Sequence, residues 1–385
     1  MKRLKPGKAG QFLFLAGFHC GGYSVHSRWH KAIKFALIGC GKTGHSYATI
    51  IHNHPKTELT AVVDINYEAA RAFGASFACK SFASVDEYLS VGNKAECAVV
   101  CAHPSEHAEI ACRLMQEQIN VLCEQPFALR STAAERMVEV SRAQGVNLMM
   151  GSKFRYIPDI IHAKGLIQAG ILGHVLEFKC DFRDTADMRN RWNSQPNISG
   201  GGVLAAKGSD AVDIVRHLFG PIQWIRAEEA QRIQSVDVED TVRLELRTSS
   251  GVMGTIHLSW TLKSTSDDYL RIYGTQGNLC IGWKKSMYRP NEAVDWITFG
   301  EGFSTMKALT SQLSNFANFV CEDELPEIND EDALESVRII ETAYQSLRTG
   351  EYVHLNSASA AVGSGLAERK FSVLSSGKAT SSTAS

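Results

Sequence analysis

Lys207 and Asp210 stand three residues apart in GGGVLAAKGSDAVDIVRHLFG, the stretch from Gly200 to Gly220. Three glycines lead into an amphipathic pattern, so the stretch reads as a helix, and side chains at i and i+3 share one face of a helix. An ammonium and a carboxylate so placed form either an ordinary ion pair or an acid–base couple. Burial lowers the pKa of a lysine and a neighbouring carboxylate raises it again, so such a lysine can exchange protons or orient a substrate oxygen. Asp210 is itself a candidate base. Just upstream, Arg191, Trp192 and Asn193 lie in a polar loop. Loops in this position cap pockets, and an aromatic ring between Arg and Asn suits a hydroxyl-rich or carboxylate ligand. A solvated loop with the indole packed inward fits the same residues.

A second group of residues suits a dinucleotide. GCGKTG places Gly39, Gly41 and Gly44 around Lys42 and Thr43. The apolar run IKFALIG precedes it, a helical pattern follows, and Asp64 ends the next apolar run twenty residues past Gly44. Gly39 allows the tight turn, Gly41 lets the backbone approach a pyrophosphate, and Gly44 lets the helix pack on the strand. The helix N-terminus offers N–H groups and a partial positive charge to the phosphates. Asp64 accepts from the adenosine ribose hydroxyls. A carboxylate there repels a 2′-phosphate, and no arginine follows in DINYEAA, so NAD is expected rather than NADP.

The elements that must position these groups divide the chain in two. From about 34 to 126, apolar strands alternate with helices of ten to fifteen residues, the grammar of a parallel sheet covered on both faces. After Pro126 come helices and then long alternating segments such as HVLEFKCDFRD, DTVRLELRT and GVMGTIHLSW, followed by two amphipathic helices. The expected architecture is α/β: a dinucleotide-binding Rossmann domain over 34–126, reaching to about 150, then an α+β substrate-binding and oligomerisation domain with an open, largely antiparallel sheet over 151–355. Residues 1–33 read as a dispensable extension. MKRLKPGK followed by QFLFLAGFHCGG loosely resembles an export signal, but Gly17, His19 and Gly21 interrupt its apolar part. Residues 356–385, rich in Ser, Ala, Gly and Thr, are expected to be disordered.

Bulk properties exclude several classes. The 385 residues exceed one ordinary core. A formal net charge of −1 gives no general drive toward nucleic acid or anionic lipid. No apolar run reaches the ~18 residues of a membrane span. The ten cysteines are scattered, and Cys97, Cys101, Cys112 and Cys123 have no metal-ligand spacing. They read as small buried hydrophobes in a reducing, cytoplasmic compartment, with no metal expected.

ALIGCGKTG, VVDI, AHPSEHAEIA, VLCEQP, GSKFRYIP, RWNSQP, GGGVL…KGSDAVDI and YGTQGNL together resemble the Gfo/Idh/MocA family over about 34–355. The resemblance implies hydride transfer between a nicotinamide and a sugar, polyol or similar substrate. It also implies a homodimer or homotetramer through the C-terminal sheet. It places His103, Pro104, His107, Glu124 and Gln125 near the cofactor. Lys153 and Arg155 fall beside the cleft, Lys153 as a reserve donor and Arg155 as substrate contact or interdomain tie. The sequence departs from the family where protons are handled. Gln125 stands where the family's EKP has lysine, and Ala206 and Asp210 replace the aspartate and histidine of GGGxLxDxGxHxxD, leaving Asp213 on the substrate side. A carboxamide holds an oxygen but exchanges no proton at neutral pH. Lys207, Asp210 and Gln125 are therefore the candidate catalytic set. Three readings follow: an oxidoreductase with rearranged proton handling; an enzyme using NAD transiently in elimination, epimerisation or glycoside cleavage; or a non-catalytic dinucleotide sensor.

Overall fold

The computed structural model describes residues 32–92, 94–321 and 324–355, so the expected tail and nearly all of the expected extension lie outside the described residues. In the first half, unbroken apolar runs give strands buried on both faces, and amphipathic stretches give the helices that bury them. These are β1 (Ile33–Ile38), α1 (Lys42–Asn53), β2 (Thr57–Val63), α2 (Tyr67–Phe77), β3 (Lys80–Phe82), α3 (Val85–Ser90), β4 (Cys97–Val100), α4 (His107–Gln116), β5 (Asn120–Glu124), α5 (Ser131–Gln144) and β6 (Leu148–Gly151). The sheet is parallel throughout, in the order β3-β2-β1-β4-β5-β6. That order reverses direction between β1 and β4, and the crevice outside the carboxyl ends of those strands is where such sheets bind ligands.

The second half holds α6 (Pro158–Gln168), β7 (Val175–Arg183), α7 (Pro196–Ser199), α8 (Ser209–Phe219), β8 (Ile222–Glu229), β9 (Thr241–Thr248), β10 (Met253–Ser259), β11 (Asp268–Gly274), β12 (Gly277–Gly282), β13 (Ser286–Pro290), β14 (Ile297–Gly300), α9 (Thr305–Val320), α10 (Asp330–Thr349) and β15 (Val353–His354). Nine strands order as β14-β13-β12-β11-β7-β10-β9-β8-β15, antiparallel except for the β7–β10 pair. Alternation sets the two faces. In β9, Val242, Leu244 and Leu246 are buried, and between them Arg243, Glu245 and Arg247 face outward. α8 covers the inner face with Val212, Val215 and Leu218. The short strands β13 and β14 carry no alternation long enough to announce them in the sequence.

The closing helices depart from the expected division. α9 carries Leu309, Leu313 and Phe316 at helical spacing and buries them in the core of the first sheet, where Phe316 meets Phe35 of β1 edge-on at 6.3 Å. Residues Ala333, Leu334 and Val337 of α10 join the same core. The chain therefore returns to its first core after building the second. Among the described residues no helix is long and apolar enough to cross a membrane, and no group of three His, Cys, Asp or Glu side chains could hold a metal ion.

Candidate active site

The turn between β1 and α1 uses its three glycines differently. Gly39 takes φ +102°, and a Cβ on it would strike the Cys101 backbone. A Cβ on Gly44 would collide with the Gly39 carbonyl, so the helix seats directly on the turn. A Cβ on Gly41 would meet nothing within 4 Å. Gly41 is also the N-cap of α1, and no side chain caps that helix end. The first turn of α1 thus presents its N–H groups and dipole to an open space that suits a pyrophosphate. A cavity of about 670 Å³ opens here, with Gly41, Lys42, Thr43, Asp64, His103 and Trp192 in its walls. Asp64 is held by two backbone donors, Cys40 N at 2.7 Å and Asn66 N at 2.8 Å. The residues therefore fit the dinucleotide that the sequence implies. A larger cavity, about 880 Å³, lies between the Pro126–Arg130 loop, α7 and α10, and no expected cofactor residue lines it.

Not every expected cofactor contact reaches the first cavity. His107 is buried, with Nδ1 2.9 Å from the Pro126 carbonyl and Nε2 3.0 Å from the Ala102 carbonyl. Burial pushes its pKa down, although the carbonyls pull the other way. It pins the start of α4 to the loop after β5 and, like the buried Pro104, is absent from the cavity wall. His103 does reach that wall. Its ring lies 5.0 Å from the Trp192 ring, so the Arg191–Asn193 loop of the second half meets the first half at the cavity mouth. Gln125 is partly buried, with Nε2 3.8 Å from Met150 Sδ and Oε1 without a hydrogen-bond partner.

The proton-handling groups are joined otherwise than the sequence spacing implied. Lys207 does not pair with Asp210. Residues Leu204–Gly208 form a π-helical turn ahead of α8, and this wider turn breaks the i, i+3 facing on which the expected pair depended. Lys207 Nζ instead donates to Asp184 Oδ1 at 2.6 Å and to the Phe182 and Ser259 carbonyls at 3.0 Å each. All three ammonium hydrogens have acceptors, and the lysine ties the ends of β7 and β10 together. Asp210 pairs with Lys153, whose Nζ lies 2.6 and 2.8 Å from its two carboxylate oxygens. Burial opposes charge on Lys153, but Asp210 and Glu124 outweigh it and hold the ammonium above its ordinary pKa.

Arg155 and Asp213 face each other and not the cleft. Asp213 is wholly buried and takes three guanidinium contacts at 2.6–3.1 Å from Arg155, plus the Ser152 hydroxyl. Arg155 also donates to Asp332 Oδ2 at 2.9 Å and to the Glu327 carbonyl. This spends the donors expected for a substrate and makes the pair a tie between α8, α10 and the 3-10 turn Lys153–Tyr156.

The sequence reading did not single out Glu239. It is buried and accepts from Gly202 N, Leu204 N and the Tyr344 hydroxyl. The glycine run thus serves close packing, since a Cβ on Gly202 would strike the Glu239 carbonyl. Gly202→Ala is expected to destabilise the fold by about 1–3 kcal/mol through overpacking. A urea midpoint equal to that of the unaltered protein would show that the loop yields freely.

Fold and cleft together define a two-domain dinucleotide-binding protein of the dehydrogenase type. Residues 33–152 match the family described as "Oxidoreductase family, NAD-binding Rossmann fold", and residues 160–280 match the "GFO/IDH/MocA C-terminal domain". The chain belongs to the Gfo/Idh/MocA family. It is 27% identical over 250 residues to glucose-6-phosphate 3-dehydrogenase of Bacillus subtilis (strain 168), covering 64% of this chain and 65% of that relative's length. It is 22% identical to D-apiose dehydrogenase of Paraburkholderia graminis, covering 86% of this chain and 92% of that one. The crystal structure of GenD2 from gentamicin A biosynthesis in complex with NAD superimposes with a TM-score of 0.76 at 23% identity, over 88% of this chain and 100% of that one.

Proposed function

We propose that this protein is an NAD-dependent oxidoreductase that moves a hydride between the nicotinamide and a sugar-like or polyol substrate, with Lys153 and Asp210 handling the proton. The observation that carries the reading is the Lys153–Asp210 pair. Lys153 follows β6 at the carboxyl edge of the Rossmann sheet, and Asp210 opens α8. The pair supplies an exchangeable proton, which Gln125 and Ala206 cannot, although neither residue of the pair stands in the wall of the cavity of Gly41 and Asp64. Bound NAD would supply a hydride acceptor or donor. The chain's own part is to hold it, with α1 at the pyrophosphate, Asp64 at the adenosine ribose and the Trp192–His103 contact at the mouth, and to give or take the proton of the substrate oxygen. Arg191 and Asn193, on either side of Trp192, fit a hydroxyl-rich or carboxylate ligand. Lys207 is a strut that fixes the base of their loop through Asp184.

Asp64 reads the cofactor. Its carboxylate is already oriented by two backbone donors, so Asp64→Ser is expected to weaken NAD about tenfold and to narrow its advantage over NADP. Calorimetric titration with both dinucleotides checks this, and unchanged NAD affinity would remove Asp64 from the site. A homodimer or homotetramer through the second sheet is part of this reading, and sedimentation analysis would reveal it. The test of the function is absorbance of NADH during incubation of the purified protein with polyols, aldoses and keto-sugars. No hydride exchange with any of them, while NAD binds, would sink the oxidoreductase reading in favour of a sensor.

A further inference from the structure

The larger cavity, about 880 Å³, plays no part in the proposed hydride chemistry. Small-molecule sites are commonly of this size and lie where two halves of a chain meet. Its walls are held from behind. The loop on one side leaves β5 after Glu124, whose carboxylate takes the Tyr47 hydroxyl and, at 3.3 Å, Gln125 N. The His107 ring, 2.9 Å from the Pro126 carbonyl, fixes the next residue of that loop. α7 closes on the same loop, since a Cβ on Gly200 would strike the Leu129 side chain. Opposite, α10 is tied to α5 by Arg338, 3.0 Å from Glu135, and its Tyr344 hydroxyl donates to Glu239 at 2.7 Å. A ligand would enter a space already formed, which spares the cost of ordering its walls.

The side chains that face this space are matched to an anion with a polar body. Arginines elsewhere among the described residues mostly meet carboxylates, as Arg338 meets Glu135 and Glu335. Arg130, on the loop, and Arg348, on α10, both line the cavity and are exposed. Neither guanidinium has a hydrogen-bond or ion-pair partner among the described residues. A guanidinium fork closes on a carboxylate or a phosphate through two parallel bonds. Glu341, Gln345 and Arg348 follow at i, i+4 and i+7, so they share one face of α10. The Glu341 carboxylate is half-buried and also unpaired among the described residues, and it can accept from hydroxyls. The exposed amides of Gln345 and of Asn197 on α7 can both donate and accept. Phe127 and Ile340, both buried, add apolar surface that suits the C–H side of a sugar ring. Two unpaired cations against one unpaired carboxylate leave the wall positive, so a negatively charged ligand is favoured over a neutral one.

We propose that this cavity is a second small-molecule site, separate from the dinucleotide cleft, for a sugar that carries a phosphate or a carboxylate. Arg130 and Arg348 supply the positive charge for the anionic group, and Glu341, Gln345 and Asn197 meet the hydroxyls. The inference stands apart from the oxidoreductase reading and survives its failure.

Calorimetric titration of NAD-saturated protein, with the dinucleotide cleft filled, tests it. The probes are glucose 6-phosphate and glucuronate, with glucose as the body alone and inorganic phosphate as the anion alone. At least one charged sugar is expected to bind about tenfold or more tighter than glucose or phosphate, and the tighter of the two names the anionic group. Arg130→Gln and Arg348→Gln, both at exposed positions, should each weaken that binding about tenfold, the worth of a charge-assisted hydrogen bond. Gln345→Trp fills the cavity without changing its charge and should abolish binding. Lys153→Met, in the proton-handling pair, should leave it unchanged. No binding of either charged sugar up to about 10 mM overturns the site. Affinity that survives both arginine changes and Gln345→Trp also overturns it and places the ligand elsewhere on the protein. Inorganic phosphate binding as tightly as the charged sugars overturns it too, since the walls would then hold a bare ion only.

Discussion

Lys153→Met is expected to lower kcat by about 10²–10⁴-fold, the usual worth of a positioned acid or base, while NAD binding is retained. Methionine keeps much of the length and apolar stem of lysine, so the packing of the 3-10 turn against the Phe154 ring, 5.2 Å from Nζ, survives. What goes is the proton and the countercharge of Asp210. Lys207→Met provides the contrast. Its ammonium is saturated by two carbonyls and Asp184, so its loss should slow the enzyme less and mainly loosen the loop that carries Trp192. Turnover equal for Lys153→Met and the unaltered protein would end the assignment. Turnover lost in Lys207→Met but kept in Lys153→Met would return the chemistry to the residue that the sequence spacing first suggested.

Asp213→Asn should destabilise the protein by about 3–5 kcal/mol, read from the urea midpoint. Removing one partner of a buried ion pair leaves the other charged and poorly compensated, which costs far more than the pair itself is worth. Arg155 is 3% exposed and would keep Asp332 as its one carboxylate, with only neutral oxygens, the Glu327 carbonyl and the new amide, for its other donors. The double change Arg155→Met with Asp213→Leu is expected to recover much of the loss, since neither charge is then stranded. A shift below about 1 kcal/mol for Asp213→Asn would mean that solvent reaches the pair.

The dinucleotide half was legible because its signals are local. A strand, GCGKTG and a helix are contiguous, and the distance to Asp64 is set by one helix and one strand, so spacing maps directly onto space. Lys207 and Asp210 were misjudged for a local reason too. An i, i+3 pair presumes α-helical pitch, and no residue in LAAKG announces a π turn. The Lys153–Asp210, Arg155–Asp213 and Tyr47–Glu124 contacts are of another kind. Each joins residues more than fifty positions apart, and tertiary packing alone sets the pairing. A faint signal existed for Tyr47, since its place with Gly44 and Ile51 on one helical face of α1 turns the phenol inward. For Glu239, buried beneath the glycine run, the acidic DVED stretch gave no reason to prefer it over its neighbours.

The return of α9 to the first core bears on how the molecule comes into being. During synthesis the strands of the Rossmann sheet leave the ribosome long before Leu309, Leu313 and Phe316, the side chains that seal one flank of it. Until those arrive, Phe35 and Tyr47 lack a lid, and the half-finished sheet offers chaperones an apolar surface that the mature protein never shows. The oldest part of the nascent chain is thus closed only by the last two helices, and α10 seals both cores, with Leu334 and Val337 in the first and Ile339, Ile340 and Ala343 in the second.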